Sequence, residues 1–270
     1  MVVQHNMAAS NANRQLGIST NTLSKSTEKL SSGYRINRAA DDAAGLSISE
    51  KMRSQIRGLN KASSNAQDGI SAIQTAEGAL NEAHSILQRM NELATQSAND
   101  TNTIADRTAV QSEVNALTNE LSRIASTSQF NTQNLLDGTF TGKNLQVGAL
   151  ENQKITISIG TMNAKALGVN SLDVKSFTKA GSAMTLIQKA ISKVSGQRSA
   201  LGALQNRLEH TVNNLDNISE NTQTAESRIR DTDMASEMVQ YSATSIIQQA
   251  GQSMLAQANS QTQGVLSLIQ

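Results

Sequence analysis

The feature that most constrains this chain is a strict seven-residue repeat in its second half. Every seventh position is occupied by Ile187, Val194, Leu201, Leu208, Leu215, Thr222 and Ile229. A second row follows three residues later, at Ala190, Gln197, Leu204, Thr211, Ile218 and Ala225. Two mostly apolar rows at these spacings form the heptad pattern of a coiled coil. We therefore expect residues 187–229 to form one helix about 65 Å long, which needs partner helices along its length.

Earlier segments carry the same periodicity and are the predicted partners of this helix. One segment has Ile73, Ala76, Leu80, Ala83, Leu87, Met90 and Ala94. After a polar run, the next has Val110, Val114, Leu117, Leu121 and Ile124. A separate, shorter helix before both is marked by Ile48, Met52, Ile56 and Leu59. Because the chain contains no proline to interrupt long helices, we predict a mainly α fold built on a long antiparallel helical bundle, or coiled coil.

The apolar period changes from 3.5 to 2 in the middle of the chain. Apolar side chains alternate at Leu145, Val147 and Ala149, and again at Ile155, Ile157 and Ile159. Residues 151–153, Glu-Asn-Gln, separate the two runs. Alternation on both sides of a short polar turn predicts a β-hairpin, and helices on either side place it at the distal tip of the bundle.

Both ends of the chain carry apolar stripes that are too thin to form a stable core alone. Leu16, Leu23 and Leu30 keep the heptad spacing, but the expected partner positions are Thr20 and Thr27. The last 35 residues carry more apolar surface than one helix can cover, including Val239, Ile246, Ile247, Met254, Leu255, Val265, Leu266 and Leu268. Polar joints predict two discontinuous domains, with 1–44 plus 231–270 in one and 45–230, including a hairpin at about 138–160, in the other.

The sequence offers no residues for catalysis, a cofactor or a metal. There are no cysteines, and the three histidines, His5, His84 and His210, are isolated from other ligand-type residues. The pairs Asp41-Asp42 and Asp231/Asp233 fall at predicted helix boundaries, where carboxylates commonly cap helices. With 23 basic and 22 acidic side chains, no charge excess favours nucleic acid or a membrane surface. We also expect no signal peptide and no membrane span, and so no general secretory route.

Several sequence runs resemble the bacterial flagellin family. They include residues 29–37, Lys-Leu-Ser-Ser-Gly-Tyr-Arg-Ile-Asn, and 40–45, Ala-Asp-Asp-Ala-Ala-Gly. In the second half they include 198–203, Arg-Ser-Ala-Leu-Gly-Ala, and 254–259, Met-Leu-Ala-Gln-Ala-Asn. The resemblance covers nearly the whole chain. It implies a two-domain flagellin without variable outer domains, because residues 160–185 leave room only for a connector.

This resemblance implies a function and a set of partners. The chain would polymerise with itself into the extracellular bacterial flagellar filament, after export by the flagellar type III apparatus, with an export chaperone and the filament cap as partners. The polymerisation residues would be the end stripes, namely Leu16, Leu23, Leu30, Val239, Ile246, Ile247, Met254, Leu255, Val265, Leu266 and Leu268.

A second implication of the resemblance is recognition by an animal receptor, Toll-like receptor 5. The run 87–94, Leu-Gln-Arg-Met-Asn-Glu-Leu-Ala, is similar to the receptor-binding motif of many flagellins. Carried over by position, Arg89, Leu93 and Glu113 would be the main contacts. Arg89 and Leu93 are four residues apart and so are expected on one helix face, with Glu113 on a neighbouring helix. Alternatively, Arg89 and Glu113 are ordinary solvated or filament-packing side chains, and Leu93 packs between subunits.

Two other interpretations of the whole chain stay open at this point. A hook-filament junction protein belongs to the same class, although the runs at 248–251 and 254–259 favour the filament protein. A chemoreceptor-type signalling coiled coil also uses heptads in antiparallel hairpins, but it has no strand insertion and usually carries membrane spans.

Overall fold

Six helices and four short strands make up the chain in the computed structural model, which describes residues 6–267 and the side chains of residues 6–261. The first three helices are α1 (Met7–Ser32), α2 (Ala43–Ser97) and α3 (Ile104–Thr127). Two antiparallel strand pairs follow, β1 (Gln129–Phe130) with β2 (Gln133–Asn134), and β3 (Lys143–Gln146) with β4 (Lys154–Ile157). The remaining helices are α4 (Ala164–Leu167), α5 (Phe177–Arg230) and α6 (Met234–Ser267).

Contacts between Cα atoms divide the described chain into a terminal unit and a central unit. The boundaries fall between Ser54 and Gln55 and between Glu220 and Asn221. Both lie further inside α2 and α5 than the predicted boundaries at 44/45 and 230/231. The predicted two-domain division, which follows the polar joints between helices, stays a prediction.

The central unit buries the predicted heptad rows of three helices against one another. Its core contains Ile73, Leu80, Leu87 and Met90 of α2, Val114 and Leu121 of α3, and Ile187, Val194, Leu201 and Leu208 of α5. Polar contacts show that α2 and α5 run antiparallel: the Ser63 hydroxyl donates to Asp216, and Glu77, further along α2, lies 3.5 Å from Arg198, which comes earlier in α5. The helical bundle predicted from periodicity is confirmed.

The heptad register of α5 changes near its last turns in this unit. Ile218, predicted to lie in the seam, is 38% exposed, whereas Ser219 is buried and donates to the amide oxygen of Asn60 at 2.7 Å. An α-helix has 3.6 residues per turn and drifts by about 20° per heptad relative to a strict seven-residue repeat. Over this length the drift moves the buried position by one residue, so the seam prediction was wrong at Ile218.

The helix around Ile48 and the helix around Leu87 are one continuous α2 of 55 residues, not two helices as predicted. Gly58 and Gly69 do not end it, because a glycine inside a helix costs only about 1 kcal/mol where packing supports it. Both glycines instead allow a close approach. A Cβ at Gly58 would crowd Ala149, and one at Gly69 would collide with the Leu145 side chain.

The predicted hairpin is present, but its predicted position at the distal tip was wrong. Its loop packs along the bundle, where Ala149 contacts the buried cluster of Leu59, Ala62 and Leu215. The Asn65 side chain donates to the carbonyl of Gln146 at 3.2 Å, which fixes the strand to α2. Small residues on this part of α2 leave room for the hairpin, and the sequence periodicity alone gives no sign of that docking.

The strand pair β1–β2 was not predicted. Its two turn residues, Asn131 and Thr132, have positive φ values of 45° and 63°, which match the two-residue turn of a tight hairpin. The sequence signal is weak because this turn usually carries glycine at its second position.

The connector that contains α4 closes the end of the bundle that lies away from the hairpin loop. There the buried Gln111 donates to the carbonyl of Leu172 and accepts from the Val174 N–H, both at 2.8 Å.

Candidate interaction surfaces

The terminal unit pairs α1 with α6 in antiparallel orientation. The Asn6 amide donates to the carbonyl of Ala258 at 2.9 Å, and Lys29 lies 3.6 Å from the carboxylate of Glu237 at the other end. The Leu16, Leu23 and Leu30 stripe is half-buried in this seam, together with Leu255 of α6. This places the first leucine row between the two helices, as its spacing suggests.

The second row of the seam is polar and small. Ser26 is buried and Ser19 half-buried, whereas Thr20 and Thr27, the predicted partner positions, are exposed. The prediction was wrong because the register follows i+3 from each leucine instead of i+4. The facing positions on α6 are also small, with the buried Thr244 and the half-buried Gly251. The second row of the seam therefore adds no large apolar side chain to the leucine row.

Apart from Leu255, most large apolar side chains of α6 that the structure describes are exposed and lie outside this seam. We define the α6 apolar face as Val239, Ile246, Ile247 and Met254, whose exposed fractions lie between 57% and 71%. Ile18 of α1 and Met238 of α6 are also exposed, and the sequence stripes did not include them. The side chains of Val265 and Leu266, and all of Leu268, lie outside the described residues. Large exposed apolar patches on a folded protein usually mark sites of association.

The polar joints between helices tie the two ends of the terminal unit together. The N–H of Arg35 donates to the carbonyl of Arg230 at 2.7 Å, and the Arg230 guanidinium lies 4.6 Å from the centre of the Tyr34 ring. Asp42 accepts from the N–H of Gly45, and Asp233 accepts from those of Ala235 and Ser236. These aspartates cap α2 and α6, so the interpretation of both acidic pairs as helix boundaries is confirmed there.

In the central unit, the predicted receptor residues form a charged cluster across α2 and α3. The guanidinium of Arg89 donates to Glu113 at 2.9 and 3.1 Å and to Glu92 at 3.3 Å. The hydrogen bond with Glu113, with a further one to Glu92, raises the pKa of Arg89. Each of these side chains stays largely exposed, so the cluster is a surface feature that is screened by solvent.

Leu93 does not share the exposed surface of this cluster. Its exposed fraction is 2%, because it faces the bundle core beside Ala94. The expectation that Leu93 presents an exposed contact beside Arg89 is wrong for the chain as described. A residue four positions along a helix is rotated by about 40° around the helix axis, and this rotation is enough to turn the Leu93 side chain into the core. Arg89 and Glu113 remain the accessible part of the predicted site.

Within residues 6–261, no group of three or more histidine, cysteine, aspartate or glutamate side chains is arranged to hold a metal ion. His210 is exposed on α5, and His84 is half-buried with its Nε2 3.1 Å from the Gln88 amide nitrogen. Over the part of the chain that the structure describes, no helix combines the length and hydropathy needed to cross a bilayer.

Comparison with protein families matches most of the chain to two regions of one family. Residues 3–141 match the bacterial flagellin N-terminal helical region, and residues 184–269 match the C-terminal helical region. A flagellin of Halalkalibacterium halodurans is 56% identical over 271 residues, with full coverage of both chains. A flagellin of Bacillus subtilis is 48% identical over 303 residues, and a flagellar filament core protein of Treponema phagedenis is 50% identical over 285, again with full coverage of both chains.

Solved structures show the same kind of fold. The crystal structure of Bacillus cereus flagellin is 32% identical, with a TM-score of 0.50, and covers 56% of this chain and 88% of that one. A putative flagellar hook-associated protein from Vibrio parahaemolyticus has a TM-score of 0.60 and covers 71% of this chain and all of that one. Because the latter is only 12% identical, it shows likeness of fold alone.

Proposed function

Because the chain belongs to the bacterial flagellin family, we propose that it is a structural, non-enzymatic subunit that polymerises through its terminal helices into the bacterial flagellar filament. The observation that supports this mechanism is the arrangement of the terminal unit. One leucine row and a second row of small and polar residues face the α1–α6 seam, while the α6 apolar face is exposed to solvent.

This arrangement is unfavourable in an isolated chain and favourable in a polymer. Burying an isoleucine or methionine side chain contributes about 1.5–3 kcal/mol relative to leaving it in water. In the single chain, the four residues of the α6 apolar face obtain little of this stabilisation. Contacts with other copies would bury them and hold α1 and α6 together at the same time, so ordering and assembly reinforce each other.

The test removes α6 and examines assembly directly. Full-length protein, brought to high salt, is expected to form filaments visible by electron microscopy. A variant lacking residues 236–270 is expected to remain unassembled, with the helical signal of the central unit retained in circular dichroism. Filaments formed by the truncated protein would contradict the role assigned to the terminal helices, and failure of the full-length chain to assemble would contradict the function.

The same proposal implies partners for the chain and a route of export from the cell. An unassembled chain exposes the α6 apolar face, which an export chaperone would need to cover before the subunit is secreted through the flagellar type III apparatus and added beneath a filament cap. Support for these partners comes from the family resemblance and from the exposure of Ile246 and Met254. Co-purification of a chaperone with full-length protein, but not with the chain lacking residues 236–270, is the expected result.

A second proposed interaction is binding to Toll-like receptor 5 through Arg89 and Glu113. It is supported by the family resemblance and by the exposure of both side chains, which lie 2.9 Å apart. Arg89→Ala is expected to weaken binding of the receptor ectodomain about fivefold or more, as for an arginine at the centre of an interface. Arg123→Ala is the matched control, because Arg123 is also exposed and paired, with Glu120 at 2.6 Å. Equal affinity of both variants and the unmodified protein, measured by titration, would refute the proposal.

A further inference from the structure

We propose that the loop between β3 and β4 of one copy docks into an apolar groove beside β1 and β2 of a second copy, with Leu150 as the inserted side chain. We define the hairpin loop as residues 148–153 and the hairpin groove as the cavity lined by Ala72, Phe130, Phe140, Leu145 and Ile157. This contact rests on the proposed function, because it needs a second copy of the chain. It adds a specific contact in the central unit to the association of the terminal helices.

Leu150 is a large apolar side chain that a rigid loop holds in solvent. It is 66% exposed, although it lies within three residues of the docked Ala149 and Val147. The Gln146 amide donates to the carbonyl of Leu150 at 2.6 Å, and the N–H of Leu150 donates to the side chain of Gln153 at 3.0 Å. A loop already fixed by its own hydrogen bonds loses little conformational entropy on binding. Leu150 is therefore preorganised as an interface anchor.

The hairpin groove has the size and lining to receive such an anchor. Its volume is about 250 Å³, below the range of roughly 300–1,000 Å³ that is usual for small-molecule sites. Two aromatic rings and three aliphatic side chains line it, and Gly69 brings the backbone of α2 close to its wall. The mouth is formed by polar side chains, among them Asp68, Gln133 and Lys143. An apolar pocket with a polar rim is the usual surrounding of an interface anchor.

Glu151 beside the loop and Lys143 at the groove mouth carry opposite charges, and the mouth also contains the acidic Asp68. Glu151 follows Leu150 directly, and Lys143 stands at the mouth with its ammonium 5.8 Å from the centre of the Phe140 ring. Among the ion pairs of residues 6–261, neither Glu151 nor Lys143 takes part. When Leu150 of one copy enters the groove of another, Glu151 comes to the rim where Lys143 lies. This pairing favours a second copy as the occupant.

The loop cannot reach the groove of its own chain. Its neighbour Ala149 is packed against Leu59 and Leu215, whereas the groove opens at the other end of the same strand pair, beside Lys143 and Ile157. Loop and groove are thus two different surfaces of one chain. A contact between different surfaces is heterologous, and heterologous contacts continue from copy to copy into rings or helical filaments instead of closing as a dimer. The proposed contact has the symmetry that a filament requires.

Disulfide trapping tests the contact, because the chain has no cysteine of its own. Leu150→Cys and Gln133→Cys are made as separate full-length variants of different tag length, mixed, assembled at high salt and oxidised. A mixed disulfide between the two tag lengths is expected to predominate over both same-variant products. Ser112→Cys, an exposed position on α3 outside the groove, replaces Gln133→Cys in the control mixture. Mixed disulfide no more abundant than in that control would overturn the proposal.

Assembly measurements give a second readout. Leu150→Ala is expected to raise the critical concentration for filament formation about tenfold, with an unchanged circular dichroism spectrum because Leu150 is exposed in the single chain. Lys143→Glu and Glu151→Lys are each expected to impair assembly, and the double variant to restore it by exchanging the charges. Normal assembly of Leu150→Ala and of both charge variants would overturn this contact while leaving the proposed function intact. Absence of filaments from the unmodified chain would instead overturn both.

Discussion

Shortening one side chain of the α6 apolar face should weaken assembly while leaving the helix itself intact. Ile246→Ala removes three carbon atoms, and burying groups of this kind contributes about 0.8 kcal/mol each. Because Ile246 is 67% exposed in the single chain, about two thirds of that total is available for contacts with other copies, or about 1.6 kcal/mol. This corresponds to a critical concentration raised about 15-fold. Alanine is also the best helix former, so the helical signal should not fall.

The assay is sedimentation of filaments from a concentration series, with circular dichroism on the unassembled protein. Leu16→Ala is the matched control, since Leu16 is half-buried in the seam between α1 and α6. That substitution should lower the thermal stability of the terminal helices as well as assembly, whereas Ile246→Ala should affect assembly alone. A critical concentration for Ile246→Ala within twofold of the unmodified chain would refute the inference that this face is buried in the polymer.

Two further predictions concern the central unit. Gln111→Leu leaves the buried carbonyl of Leu172 and N–H of Val174 without their partner, and is expected to lower the free energy of unfolding by about 2–4 kcal/mol; an unchanged denaturation midpoint would contradict this. Hydrogen bonds from the Thr139 hydroxyl and N–H lower the pKa of Asp137. These bonds therefore stabilise the folded chain fully at a pH above the ordinary carboxyl pKa, and this stabilisation is lost as the pH falls below about 4. Asp137→Asn should therefore flatten the dependence of the thermal midpoint on pH in this range, and an unaltered slope would count against it.

The long helices were the most predictable part of the fold. The rows that contain Leu80, Leu121 and Leu201 are periodic and end at polar or glycine-containing joints, so their burial follows from spacing alone. Where the heptad pattern was weak, the predicted register of the seam was wrong. Ser26 and Ser219 occupy buried seam positions that the sequence assigned to Thr27 and Ile218, because a serine gives no hydrophobic signal and the drift of a helix over several heptads is set by packing.

The interaction surfaces were only partly predictable. The apolar excess of α6 was visible in the sequence, and the structure places Ile246 and Met254 outside the seam, in agreement with an unsatisfied face. Leu93 shows the opposite case, since its spacing from Arg89 suggested a shared surface and its burial removes it from that surface. Leu150 carried no signal, because exposure of a single leucine depends on how Gln146 and Gln153 hold its loop.

The sequence by itself determined that this chain forms long helices and that it belongs to the flagellin family. The absence of proline, the heptad rows and the flagellin-like runs specify long helices and two terminal segments that lack enough apolar contact to be stable alone. Only the tertiary structure decided which side of each helix is turned inward, where the hairpin docks, and which apolar residues remain in solvent. The reason is physical: periodicity is a local property of the chain, whereas the burial of a particular side chain depends on neighbours that lie far away in sequence.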